Sequence, residues 1–212
     1  MTGPQRKRER GLIIAIGLAA GLLAAAAVGV RTWSPSPDGP HAVPIAEKVW
    51  RPNVRGTVTG SVAFRHPAWG PVVLVTSEHP TEDTSTPSYI TVVDGHGRVR
   101  WSFNTGDTVW YEMKINSPAR DKTGNIFINW NPGRYNGVTV LRPTVDGFAD
   151  FGTLMESGNY NGSHYYADVV DVDHDGIFEI AQHDNNCIPG CAEGKITTKN
   201  FWWTGHGYRP RD

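Results

Sequence analysis

Four acids stand at alternate or near-alternate places in one short stretch, Asp171-Val172-Asp173-His174-Asp175-Gly176-Ile177-Phe178-Glu179-Ile180. This is the chemistry of a hard cation. Calcium takes about six to eight oxygen ligands at roughly 2.3–2.6 Å, and alternating carboxylates on a tightly curled loop converge on one point. Gly176 allows the sharp turn that a side chain obstructs. The expected ligand set is Asp171, Asp173, Asp175 and Glu179 with the backbone carbonyl of Ile177, holding one structural Ca2+ ion. The competing reading is a solvated Asp/Gly-rich turn. An EF-hand does not fit, because that loop needs a bidentate Glu at its twelfth position and the twelfth residue from Asp171 is Gln182. Apolar Ile177, Phe178, Ile180 and Ala181 predict a strand after the loop rather than a helix.

The second reactive group is Cys187-Ile-Pro-Gly-Cys191, which contains the chain's only two cysteines. On an oxidising, exported side such a pair forms a local disulfide, and the Pro-Gly turn brings its ends together. A zinc site with His174 and His183 is the rival, but the spacing matches no common zinc pattern. The pair is not Cys-x-x-Cys, so a redox motif is disfavoured. His164, His174, His183, Asp184, Glu112 and Asp107 supply the groups of a hydrolytic site, yet their spacing selects no nucleophile, base and orienter. No glycine-rich phosphate loop, nucleophile elbow or paired-histidine helix motif is present. Asn161-Gly162-Ser163 is a glycosylation sequon.

These groups must be held by something. With 39% hydrophobic and 19% charged residues, the 212-residue chain has the apolar material for a core. Its 24 Gly, 15 Pro and 8 Trp favour frequent turns and aromatic strands, hence an all-β fold. Residues 1–10 form a basic tail in which Arg6, Lys7, Arg8 and Arg10 outweigh Glu9, for +3; the net charge of −1 leaves −4 for the remainder. No basic stripe remains there, so nucleic acid is not an expected partner.

Residues 11–30 are uncharged, and twenty residues at helical rise span about 30 Å, the thickness of a bilayer core. The basic flank predicts a single-pass signal anchor with its N-terminus in the cytoplasm and the rest of the chain outside. Cleavage at Ala24-Ala25-Ala26 or Ala25-Ala26-Ala27, giving a secreted protein, is the alternative. Residues 31–55 read as a proline-rich linker in which Pro35, Pro37, Pro40, Pro44 and Pro52 break regular elements.

Residues 56–212 repeat. Gly70, Gly124 and Gly176 stand 54 and 52 residues apart. Each is followed by a short apolar strand and preceded by another, at 57–64, 108–115 and 163–170. Each is then followed by a hairpin: 89–103 around Asp94-Gly95, 138–151 around Asp146-Gly147, and 196–208 around Thr204-Gly205. About four strands per period of about 52 residues predicts a propeller-like array of about three four-stranded antiparallel units. Trp101, Phe148, Phe151, Phe201, Trp202 and Trp203 are expected to pack unit against unit.

The segment Asp171-x-Asp173-x-Asp175-Gly176-x-x-Glu179-Ile180 resembles the calcium loop of FG-GAP and VCBS repeat proteins, whose blades occur in integrin α-subunits. Ile90-Thr-Val-Val-Asp94-Gly-His-Gly-Arg-Val-Arg-Trp101 resembles, less specifically, a strand-turn-strand of quinoprotein-type propeller repeats. The first resemblance implies a calcium-stabilised exported propeller serving adhesion, ligand binding or scaffolding. The chain departs from that pattern in two ways. Only its third unit carries the acidic loop; Asp121-Lys122-Thr123-Gly124-Asn125 keeps a fragment and His66-Pro67-Ala68-Trp69-Gly70 keeps none. Three units also fall short of the roughly four blades of a closed ring, which leaves an open wedge, a homodimer completing the propeller, or a β-sandwich. The expected function is a membrane-anchored, extracytoplasmic, non-catalytic binding or scaffold module with a protein or carbohydrate ligand. The rival is an exported enzyme, a hydrolase or quinoprotein-like fragment with its site on the propeller axis.

Overall fold

A computed structural model describes residues 44–78, 88–104, 113–130, 136–149 and 166–211. The basic tail, the apolar segment 11–30, most of the linker, and Phe151, His164, Glu112, Asp107 and the sequon lie outside the described residues. Among those described, no helix is long and apolar enough to cross a membrane.

The fold is all-β, with three four-stranded antiparallel sheets. The first joins β1 (Thr57–His66), β2 (Gly70–Glu78), β3 (Tyr89–Asp94) and β4 (Val99–Asn104) in chain order. The second joins β5 (Met113–Arg120), β6 (Ile126–Trp130), β7 (Gly137–Thr144) and β8 (Gly147–Ala149) in the same way. The third joins β9 (Tyr166–Val170), β10 (Glu179–Asn185), β11 (Ile196–Trp203) and β12 (Tyr208–Pro210). Each strand thus pairs with its sequence neighbour, as successive turns dictate. Gly70, Gly124 and Gly176 fall at the same place in the three units, on the turn into the second strand, with φ of +72°, +83° and +82°. An L side chain is strained in that left-handed conformation.

The turns of the hairpins differ from the simplest expectation in one case. At Asp94-Gly95 the left-handed residue is Gly97, with φ +80°. Asp94 organises the longer loop by accepting hydrogen bonds from the backbone N–H groups of His96 at 2.9 Å and Arg98 at 3.0 Å, and from Arg98 Nε at 2.9 Å. A carboxylate that satisfies a loop's backbone donors substitutes for the tight two-residue turn.

Alternation along the strands sets the packing. On β6, Ile126 and Ile128 point one way, into a core with Phe64, Leu74, Ile90 and Val92 of the first sheet. Phe127 points the other way, into a core with Ile180, Phe201 and Tyr208 of the third. The second sheet is therefore buried on both faces, which explains why β6 begins as an unbroken apolar run. Trp101 and Phe148 join the first interface and Phe201 and Trp203 the second, as expected of aromatics between units. Trp202 differs: the guanidinium of Arg211 lies 4.2 Å from its ring centroid.

The end of the linker is structured. A helical turn, α1 (Glu47–Trp50), runs into a 3-10 turn at Arg51–Asn53, and buried Trp50 and Val54 cover Val73, Val75 and Val93 on the far face of the first sheet. Pro52 does not break this element because it falls in the first turn of the 3-10 segment, where a missing N–H costs nothing.

His66, at the end of β1, ties the first sheet to the second. It is 1% exposed, stacks on Trp69 with ring centroids 3.8 Å apart, and meets the carbonyl of Gly147 at 2.9 Å through Nε2. Nδ1 accepts the N–H of Ala68 at 3.2 Å, so the neutral ring carries its proton on Nε2 and donates it to Gly147. Burial holds the His66 pKa below its ordinary value of 6.5, and Arg100 adds to this while the Gly147 bond opposes it. The unfolded chain then takes up a proton before the folded one does. Stability from this group is full above about pH 6.5 and is lost as pH falls through the folded value. Melting temperatures of the wild type and His66→Gln from about pH 7.5 to 5.5 should diverge in slope, the wild type falling more steeply. Parallel curves would remove His66 as the source.

Candidate metal centre

The acidic stretch is the loop between β9 and β10, and its own carboxylates fold it. Asp171 accepts the N–H of Gly176 at 3.2 Å, Asp173 that of Asp175 at 3.3 Å, and Asp175 that of Ile177 at 2.7 Å. Glu179 reaches back to the N–H of Val172 at 2.8 Å. One oxygen from each of Asp171, Asp173 and Glu179 lies within 4.8 Å of the others. Asp175 stands outside that group of three, its Oδ1 turned to the backbone; Ile177 shares the loop. Glu179 is buried, and burial pushes its pKa up, followed by the charges of Asp173, Asp175 and Asp171, against the Val172 bond. Two such charges at 4 Å repel by about 1 kcal/mol even in bulk water and by more where water is scarce. The donor set, three hard carboxylates with one anchored in the core, fits a hard divalent cation better than a soft one.

The neighbouring sheet clasps this loop. The β5–β6 turn sends Asp121 Oδ2 to the N–H of Phe178 at 3.1 Å, and the N–H of Lys122 to the carbonyl of Gly176 at 3.0 Å. The ammonium of Lys122 donates to the carbonyl of Asp175. A Cβ at position 176 would lie 2.6 Å from Lys122 Cε, so Gly176 serves the clasp as well as the turn. Asp121 also accepts the N–H of Thr123 at 2.9 Å, and burial pushes its pKa up against these bonds. Beneath it Asn125 donates to the hydroxyl of buried Tyr208 at 3.3 Å, and the guanidinium of Arg142 lies 4.7 Å from the Trp203 ring centroid. Burial drives the Tyr208 pKa up and the Arg142 pKa down, while Asp121 favours the charged Arg142. Motif reading treated Asp121 as a relic of the acidic loop and missed its role. The signal was present, since Asp121 precedes Gly124 by three residues as Asp173 precedes Gly176.

Cys187 and Cys191 form a disulfide with their Cα atoms 3.8 Å apart, and neither thiol is free to bind zinc with His174 or His183. Asn185 braces the loop by donating to the carbonyl of Cys191 at 2.9 Å and accepting the N–H of Cys187 at 2.8 Å.

Of the described hydrolytic candidates, His174 is exposed on the acidic loop and Asp184 is exposed on β10. His183 lies between Asp168, 3.4 Å from Nε2, and the hydroxyl of Thr198, 2.8 Å from Nδ1. These three side chains cross neighbouring strands, and Tyr166 stacks on the imidazole at 4.2 Å. Thr198 and Asp168 are exposed, and the Thr198 hydroxyl belongs to a residue paired within the sheet ladder. That placement suits cross-strand pairing rather than an oxyanion-stabilising pocket. A separate open cleft of about 190 Å³ lies between the second sheet and β9, lined by Lys114, Asn116, Asn129, Trp130 and Asn136 among others.

Comparison of the chain with protein-family models, curated proteins and solved structures gives no match.

The clasp predicts a specific ranking. Asp121→Ala strips the partners from the N–H groups of Phe178 and Thr123 and should destabilise the protein by about 2 kcal/mol or more. Asp121→Asn keeps an acceptor oxygen and should cost less than half of that. Denaturant midpoints would test it, and equal losses in the two variants would refute the ranking.

Proposed function

We propose that this chain is a membrane-anchored, extracytoplasmic binding or scaffold module of propeller-like architecture, non-catalytic, with a structural calcium ion held by the acidic loop. The observation that carries the reading is the convergence of Asp171, Asp173 and buried Glu179 beside a turn of the neighbouring sheet. Asp175 and the Ile177 carbonyl complete the proposed shell. The ion relieves carboxylate repulsion and stiffens the loop that Asp121 and Lys122 grip, so it acts on the junction of two sheets and not on a substrate. The likeness of the loop to FG-GAP and VCBS repeats supports the same reading. So do three consecutive antiparallel sheets with an equivalent glycine in each. Three units leave a ring unfinished, and a homodimer that completes it is part of the proposal. The ligand is a protein or a carbohydrate.

Because the ion binds the folded state, calcium at about 100 times its dissociation constant should add roughly 2.7 kcal/mol of stability. Magnesium should add less, since it demands stricter octahedral geometry and dehydrates reluctantly. Thermal melts with calcium, with magnesium and with chelator, repeated for Asp173→Ala, test the site. Superimposable curves would reduce the loop to an acidic turn. The anchor has its own test: protease added to intact cells should release a C-terminal domain, and a domain protected in the cytosol would overturn the topology.

A further inference from the structure

The side of the second sheet that faces the third changes character along its length. Phe127, Val138 and Val140 fill one part of that interface. Further along, the same side carries Lys114 and Asn116 on β5 and Asn129 on β6, with Asn136 just before β7. Opposite them β9 offers Ala167 and Val169, which are too small to fill the gap, and the cleft of about 190 Å³ remains. Asparagine is depleted in strands, and placing a carboxamide at a sheet interface is unfavourable unless it is hydrogen-bonded. Three of them at one cleft serve recognition better than packing.

The carboxamides are ordered. Asn129 Nδ2 donates to Asn116 Oδ1 at 2.9 Å, and Asn116 Nδ2 donates to the carbonyl of Pro118 at 3.0 Å. This relay fixes Asn129 and leaves its Oδ1 as an acceptor without a side-chain or backbone donor among the described residues. Asn136 is exposed, and its carboxamide likewise makes no hydrogen bond among them. The indole of Trp130 lies across position 137, where any Cβ would come within 2.1 Å of the ring, so Gly137 is what lets the ring border the cleft. Lys114 and Asp168 carry opposite charges, so the lining does not select an anion or a cation.

A ligand for this lining must present donors and acceptors a few ångströms apart, carry no net charge, and offer C–H groups to an aromatic ring. Vicinal hydroxyls on a pyranose meet all three requirements. The cleft is smaller than the roughly 300–1,000 Å³ pockets that enclose drug-sized ligands, which limits it to one ring. We propose that the cleft between the second sheet and β9 is a saccharide subsite for a single neutral pyranose ring, gripped by Asn129 and Asn136 with Trp130 against its C–H face. The proposal rests on the binding-module reading and specifies its ligand.

The test uses the full chain in a detergent without a sugar head group. Saturation-transfer NMR and titration would be run with glucose, galactose, mannose and N-acetylglucosamine as free sugars. Their methyl glycosides would mimic the end of a glycan, nitrophenyl glycosides would report turnover, and alanine would serve as a zwitterionic control. At least one pyranose should bind, with Asn136→Ala and Asn129→Ala each weakening it about tenfold and Thr197→Ala, on the exposed part of β11, leaving it unchanged. Preference for the methyl glycoside would assign the site to glycan ends, and preference for the reducing sugar to free monosaccharide. No binding of any pyranose at millimolar concentration, equal binding by folded Asn136→Ala, or binding of alanine alone would overturn the subsite. Release of nitrophenol would overturn the non-catalytic reading and leave the subsite standing.

Discussion

Consecutive residues of a strand point to opposite faces, and the fold rests on that fact at β6. Ile126 and Ile128 enter one core while Phe127 enters another, so a single short strand is shared by two hydrophobic interfaces. Burying each such side chain is worth roughly 1.5–3 kcal/mol. A register slip of one residue would exchange the two sets and spoil both interfaces together. The left-handed glycine two residues upstream, Gly124, brings the chain into β6 at the right phase. Its counterparts Gly70 and Gly176 do the same for the outer sheets.

Apolar packing joins the sheets along their faces, and polar groups join them at the turns. Between the first and second sheets the link is neutral: His66 spends both ring nitrogens on backbone groups and its face on Trp69. Between the second and third sheets the link is charged, with Asp121 and Lys122 gripping the backbone of the acidic loop. The difference has a physical consequence. The neutral link responds to protonation near its own pKa. The charged link is tied to a loop whose carboxylates repel one another, so whatever neutralises them also firms the junction. In the proposed module that role falls to calcium.

Charge placement also separates two kinds of polar surface on the third sheet. Asp168, His183 and Thr198 satisfy one another across an open sheet face. The carboxamides of the cleft are held by a relay that leaves acceptor and donor capacity pointing outward. Satisfied groups stabilise a surface, and oriented but unsatisfied ones recognise a ligand.

Much of the fold was legible in the chain. Period-two apolar runs, turn-forming Asp-Gly pairs and three glycines at near-equal spacing are local signals, and they determined the twelve strands and their antiparallel order in three sheets. The cysteine spacing likewise determined a local disulfide. Part of the candidate site was legible for the same reason, since Asp171, Asp173 and Glu179 lie on one short loop whose carboxylates fold back on it. What the chain alone did not disclose depends on groups far apart in sequence. Asp121 meets Phe178 across 57 positions and His66 meets Gly147 across 81. Asn116, Asn129 and Asn136 share a cleft with Ala167 only because two sheets face each other there. The burial of Glu179 and the covering of the first sheet by Trp50 belong to the same class. Local hydrogen bonding and alternation act over a few residues and are written in order along the chain, whereas desolvation and cross-sheet contacts arise only when packing brings separate segments to the same place.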